Sequence, residues 1–160
     1  MTPEDSASRS SSLPGRVAAI DYGTVRIGVA VSDALRMLAS PFETYTRIGP
    51  EDDARHFQQL AAEESIVLFV VGLPVHLDGR ESEKSGEARE FGRWLAAATG
   101  VRVVFHDERF TSVEADAKMG DAGLTRKRKK NRRDMVAAQI LLESFLESGT
   151  EDDRPAGLDD

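Results

Sequence analysis

The sequence predicts an α/β layer fold in which helices cover a central sheet. Three observations carry this expectation. The first two apolar segments, Val17 to Asp21 and Ile27 to Ser32, are separated by little more than a Gly23-Thr24 turn. That is too short for the crossover a parallel pair needs, so the two form an antiparallel hairpin. Further along, segments of helical period alternate with short continuous apolar runs, the pattern of right-handed crossovers onto one sheet. Finally, 160 residues suit one core of ordinary size and would be cramped for two.

Residues 1–15 are Ser-rich and without apolar periodicity, and read as a flexible leader to a domain spanning 16–148. Phe42 to Arg47 contains Thr44, Tyr45 and Thr46, strand formers that extend the hairpin into a three-stranded meander. Gly49-Pro50 breaks the chain. Ala54, Phe57, Leu60 and Ala61 then recur at helical spacing, behind Glu51, Asp52 and Asp53, which the helix dipole favours in a first turn. Val67 to Val71 is continuously apolar, as expected of a strand covered on both faces. Ala88, Phe91, Leu95 and Ala98 mark a second helix, with Gly100 placed to end it. Val101 to Phe105 is the next strand, closed by His106. Thr111-Ser112-Val113-Glu114 matches a capping box opening a short helix. The last helix spans Asn131 to Ser148, and residues 149–160 read as an acidic disordered tail.

Composition removes several classes of function. The chain is 31 % charged and 40 % hydrophobic, which is globular rather than disordered. The longest apolar run, Ile66 to Val71, has six residues, against about 20 for a bilayer span. The N-terminal residues lack the apolar stretch of a secretory signal. The absence of cysteine excludes disulfides, thiolate zinc sites and cysteine nucleophiles, and fits a cytoplasmic protein. His56, His76 and His106 share no zinc-ligand spacing. Neither a Gly-x-Ser-x-Gly elbow nor a Walker A motif is present.

The net charge of −7 argues at first against a polyanionic partner. Its distribution changes that reading. The leader carries −1 and the tail −4, leaving −2 on residues 16–148. Within that domain Arg126-Lys127-Arg128-Lys129-Lys130-Asn131-Arg132-Arg133 puts seven bases in eight positions. Such a tract is either a solvated loop or a phosphate-contacting patch, the footprint of a nucleic-acid site.

Sites in sheets of this kind form at the carboxyl ends of parallel strands, and acids fall there. Asp21 closes the first strand. Asp107 and Glu108 follow the strand ending at His106. Asp134 is in line with Ala137, Ala138, Leu141 and Phe145, which places it on the buried face of the last helix. A buried carboxylate is costly unless it is paired or bound to metal. Each acid also has a plainer use. Asp21 could cap the turn before Gly23, Asp107 or Glu108 could pair with Arg109, and Asp134 could cap its own helix. Converging at one sheet edge, the carboxylates would suit Mg²⁺ or Mn²⁺. The loop from Gly72 to Gly79 runs near the same edge, as an ordinary connection or as part of the site.

Four motifs in order resemble the YqgF family of Holliday-junction-resolvase-like, pre-ribosomal-RNA nucleases. They are Asp21-Tyr22-Gly23-Thr24 with Arg26-Ile27-Gly28-Val29-Ala30, then Val70-Val71-Gly72-Leu73-Pro74, then Asp107-Glu108-Arg109 with Thr111, and last Asp134 with Ala137-Ala138 and Ile140-Leu141-Leu142. The resemblance covers residues 16–147. It implies a ribonuclease H-like fold: a central mixed sheet of three antiparallel strands followed by two parallel ones, flanked by helices. It places the family's acidic site on Asp21, Glu108 and Asp134. Successive strand residues point to opposite faces, so Asp107 and Glu108 cannot both face the site, and Glu108 is favoured. One departure is that Arg132-Arg133 stand where the family has apolar residues, so the helix would begin later or more exposed.

The function expected is a divalent-metal-dependent phosphodiesterase, with Asp21, Glu108 and Asp134 holding Mg²⁺ or Mn²⁺, two ions in the usual arrangement. Arg109 and Arg126, Lys127, Arg128, Lys129, Lys130, Arg132 and Arg133 would bind nucleic acid, with Gly72, Leu73 and Pro74 as a substrate loop. The substrate would be structured RNA, most specifically the 5′ end of precursor 16S ribosomal RNA, or else branched DNA. The protein would be cytoplasmic, without a membrane partner, and a monomer or weak homodimer. Two alternatives come from other classes. One is a non-catalytic RNA-binding ribosome-assembly module on the same fold. The other is an ATPase of the actin and sugar-kinase type, which needs a second nucleotide-clamping domain that a core of this length does not supply.

Overall fold

A computed structural model describes residues 15–74, 83–107 and 126–148. Five strands form one sheet in the order β3-β2-β1-β4-β5. They are β1 (Arg16–Asp21), β2 (Arg26–Ser32), β3 (Ala39–Thr46), β4 (Ile66–Leu73) and β5 (Arg102–Asp107). The first three pair antiparallel, while β4 runs parallel to β1 and β5 parallel to β4. The helices are α1 (Pro50–Glu63), α2 (Glu83–Thr99) and α3 (Arg126–Ser148). This is the expected mixed sheet, with the three-stranded meander placed on one side of β1 and the two crossover strands on the other.

Strand alternation divides the core in two. Ala18 and Ile20 of β1 join Val29, Phe69, Val71, Phe57, Phe91 and Leu95 under α1 and α2. Val17 and Ala19 face the opposite way and join Ala30, Leu68, Val70 and Val104 with Ala138, Leu141, Leu142 and Phe145 of α3. The central strands β1 and β4 are covered on both sides, so they read as unbroken apolar runs rather than alternating ones. Val67, at 43 % exposure, escapes this cover near the amino end of β4. Gly100 ends α2 with φ +73° and donates its N–H to the Ala96 carbonyl at 2.8 Å. Only glycine adopts that conformation without strain.

The last helix departs from its expected start. It begins at Arg126, so the basic tract is its first two turns rather than a loop, and its start is not delayed by Arg132-Arg133. Lys and Arg are good helix formers, and a tract of them propagates a helix whose later turns are anchored by burial. Asp134 therefore lies well inside the helix and cannot cap it. The capping box at Thr111, the loop from Val75 to Gly79, residues 1–14 of the leader and the tail lie outside the described residues.

Candidate active site

Strand register puts three residues in one row across the meander: Asp21 opposite Gly28, and Gly28 opposite Thr44. By alternation from Val17 and Ala19, Asp21 is on the α3 face. The helix is clamped along the same row. Thr44 donates its hydroxyl to the Asn131 carbonyl at 2.5 Å. At Gly28 a Cβ would stand 2.1 Å from the Asp134 carbonyl oxygen, so the missing side chain is what lets α3 come down beside Asp21. Arg26, at the start of β2, donates its Nε to Asp134 Oδ2 at 3.1 Å.

Asp21 and Asp134 line one cavity of 460 Å³ at the carboxyl end of β1. The Tyr22–Val25 turn, Arg26 and Pro74 form part of its wall, and Lys84, Glu87 and Ala88 come from the start of α2. Both aspartates are half-buried. Asp134 is thus at the edge of its helix's apolar stripe rather than beneath it, although Ala137, Ala138, Leu141 and Phe145 are buried as expected. Asp21 and Asp134, with Glu87 as a third carboxylate on the wall, give the cavity oxygen donors that suit a hard divalent cation. Among the described residues no three acids or histidines gather into a complete ligand set. Glu108 and Arg109 lie outside the described residues.

Asp107 is described, and it stands opposite Leu73 in the β4–β5 ladder. Leu73 packs under α1 and α2, so Asp107 is on the other face of the sheet from Asp21. Its neighbour His106 is on the α3 face, 2.9 Å from the Ser144 hydroxyl and edge-on to Phe145.

The remaining residues of interest are dispersed. Gly72 and Leu73 are the last residues of β4 and buried, because the strand is two residues longer than its continuous apolar run suggested. Of the three proposed loop residues, Pro74 alone reaches the cavity wall. Arg128, Lys130, Arg132 and Arg133 are exposed and Lys129 is half-buried. Arg128 and Arg132 line a separate groove of 610 Å³ between α3 and Pro41 of β3. Only two cations line the acid cavity among the described residues, Arg26 and Lys84. Sequence reading gave neither a role. Arg26 could have been found as the base that flanks the same hairpin turn as Asp21. Lys84 and Glu87 precede the apolar spacing that marked α2, and nothing in their own pattern pointed to them.

A mixed sheet of three antiparallel and two parallel strands, flanked by helices, is a ribonuclease H-like arrangement. Comparison agrees at the level of fold. Over 83 % of this chain and 97 % of the other, the structure superposes on the fowlpox virus resolvase solved with Holliday junction DNA, with a TM-score of 0.52 at 10 % identity. The chain belongs to the RuvX family, described as Holliday junction resolvase, which matches residues 15–148. This bears out the resemblance read from the motifs. A Rhodopirellula baltica protein named "Putative pre-16S rRNA nuclease" is 54 % identical over 134 residues, 84 % of this chain and 78 % of that one. A protein of the same name from Nitrosospira multiformis is 37 % identical over 144 residues, 90 % of this chain and 95 % of that one.

Proposed function

We propose that this nuclease is a divalent-metal-dependent phosphodiesterase that trims structured RNA, with the 5′ end of precursor 16S ribosomal RNA as its substrate. The observation that carries the reading is the pairing of Asp21 and Asp134 on one cavity at the carboxyl edge of the sheet. The names of the relatives support the RNA substrate. The family description supports branched DNA as the competing one.

In this reading Asp21 and Asp134 hold the cation, with Glu108 as the third carboxylate. Asp107 faces away from Asp21, which favours Glu108 over it. Bound Mg²⁺ or Mn²⁺ would act as a Lewis acid on phosphoryl oxygens and as a source of hydroxide at neutral pH. Lys84 supplies a positive charge to the phosphate on the cavity's α2 side. Arg26 holds the Asp134 carboxylate in place and balances its charge. The tract from Arg126 to Arg133 ends next to Asp134, and its first residue lies about 12 Å away along the helix axis. It serves as the handle for flanking phosphates and for the duplex part of the substrate.

The test is cleavage of a precursor 16S transcript by purified protein with Mg²⁺ or Mn²⁺. Cleavage near the mature 5′ end is expected, with affinity that falls as salt rises and a shallower salt slope when the tract is neutralised. Tight binding without cleavage in either metal would replace this reading with a non-catalytic assembly module. Preferential cleavage of a four-way DNA junction would replace the substrate.

A further inference from the structure

A second cavity, of 360 Å³, adjoins the acid cavity. The two share Tyr22, Thr24 and Glu87. Its floor is aromatic. Tyr22 and Phe91 have ring centroids 4.8 Å apart, and Phe91 and Trp94 5.4 Å apart. Phe91 is buried and its place in the core explains it. Tyr22 and Trp94 are half-buried and keep surface on the cavity. Arg47 spreads over Tyr22 and Phe91, with its guanidinium carbon 5.4 and 5.9 Å from their ring centroids. It donates to the Tyr22 hydroxyl at 3.0 Å and to the buried Asp53 carboxylate at 3.3 Å. The shelf is therefore fixed before any ligand arrives.

The charges around this shelf select what it can take. Arg47 is already matched by Asp53, and the exposed Glu87 and Glu90 stand on the lining. Two carboxylates beside a neutralised arginine repel a phosphate. They accept hydrogen bonds from amino and imino groups, at least one of which every nucleobase carries on its edge beside its acceptors. The faces of bases stack on aromatic rings with little regard to sequence.

We propose that Trp94, backed by Phe91, forms a base-stacking subsite for an unpaired nucleotide adjacent to the phosphate held at Asp21 and Asp134. The base lies on the indole with its amino edge toward Glu87 and Glu90. The position next to the cleaved phosphate rests on the nuclease reading above, while the stacking itself does not. The unpaired strand enters along the shelf, so the site prefers a single-stranded segment beside structured RNA to a continuous duplex.

Trp94 is the sole tryptophan of the chain, so its emission reports on the shelf directly. The full-length protein is titrated with a fluorescein-labelled decamer of adenylates, with Ca²⁺ replacing Mg²⁺ to prevent turnover. Anisotropy follows binding and tryptophan emission follows stacking. Saturable quenching that tracks the anisotropy is expected, and a decamer of abasic residues should not quench. Trp94→Leu should weaken binding about 10-fold, and Trp94→Phe should restore most of it. Because the quenching experiment uses the unaltered protein, it stands even where Trp94→Leu fails to fold. Binding without any change in Trp94 emission, or no binding at all, overturns the subsite. Cleavage of precursor RNA without quenching removes the subsite and leaves the nuclease. Quenching without cleavage removes the nuclease and leaves a single-strand-binding shelf.

Discussion

Asp53 and Asp134 each sit on a helix packed against the sheet, on opposite faces, and each faces an arginine. Asp53, in the first turn of α1, has a side chain only 1 % exposed. Its Oδ1 accepts the Tyr45 hydroxyl at 2.7 Å and the Ile48 and Gly49 N–H groups at 3.0 and 3.4 Å, and its Oδ2 accepts Arg47 Nε at 3.3 Å. Asp134, on α3, has a side chain 24 % exposed, is held by Arg26 at 3.1 Å, and looks onto the acid cavity. Burial opposes the charge on Asp53, but the Ile48 N–H, the Tyr45 hydroxyl, the Gly49 N–H and Arg47 outweigh it and hold its carboxyl below the usual range. Tyr45 bears the converse: burial, and then the hydrogen bond to Asp53 and its charge, push it up to about 12. A carboxylate whose acceptor positions are filled by its own chain secures a helix start. One that is paired with Arg26 and faces a cavity remains available to a ligand.

That contrast can be broken at several points. The largest effect belongs to Asp21→Asn, which should lower metal-dependent cleavage by about 100-fold or more, equivalent to roughly 3 kcal/mol of barrier, with urea unfolding nearly unchanged. Asp53→Ala should do the reverse. It leaves Arg47, Tyr45 and two N–H groups without their acceptor and should cost about 2–4 kcal/mol in urea unfolding, while the Mn²⁺ affinity of the folded protein at Asp21 and Asp134 is retained. The same residue predicts a pH effect. A carboxyl lowered on folding stabilises above its unfolded value near about 4, and that stability is lost as pH falls through the folded value. Wild type should therefore lose more stability than Asp53→Asn on acidification below about pH 4, and parallel acid curves would contradict the assignment.

Gly28→Ala lies between the two classes. The added methyl meets the Asp134 carbonyl, so α3 must shift, which should cost about 1–3 kcal/mol and also reduce cleavage by moving Asp134. The smallest effect on stability is expected of Arg26→Gln. A half-exposed ion pair is worth under about 1 kcal/mol, so unfolding should barely change, while Mn²⁺ should bind a few-fold more tightly once the competing cation is gone.

How much of this was readable in the sequence follows from what each residue's neighbours are. Asp21 ends an apolar run beside a tight turn, so its strand position could be deduced from local pattern, while its face could not, because β1 is apolar on both sides. The buried positions Ala137, Ala138, Leu141 and Phe145 declared the inward face of α3 in the same way. The start of α3 was misread because charge density resembles a loop, whereas Lys and Arg carry a helix as well as most residues do. Asp53 looked like an ordinary first-turn acid, since the arginine and tyrosine that fill it come from β3 and its end. The shelf was invisible for a similar reason. Tyr22 belongs to a turn, Phe91 reads as the core face of a helix, Trp94 gave no signal of its own, and only the fold sets them beside Asp21. Gly28 appeared in a motif without a reason, and the reason is a helix more than a hundred residues later.

The central claim is that Asp21 and Asp134 hold one divalent cation site together. Calorimetric titration of Mn²⁺ into wild type, Asp21→Asn and Asp134→Asn tests it most directly. Both substitutions should weaken the same binding event by about 10-fold or more, as expected when a ligand of a shared ion is removed. Unchanged Mn²⁺ affinity in both variants would contradict it.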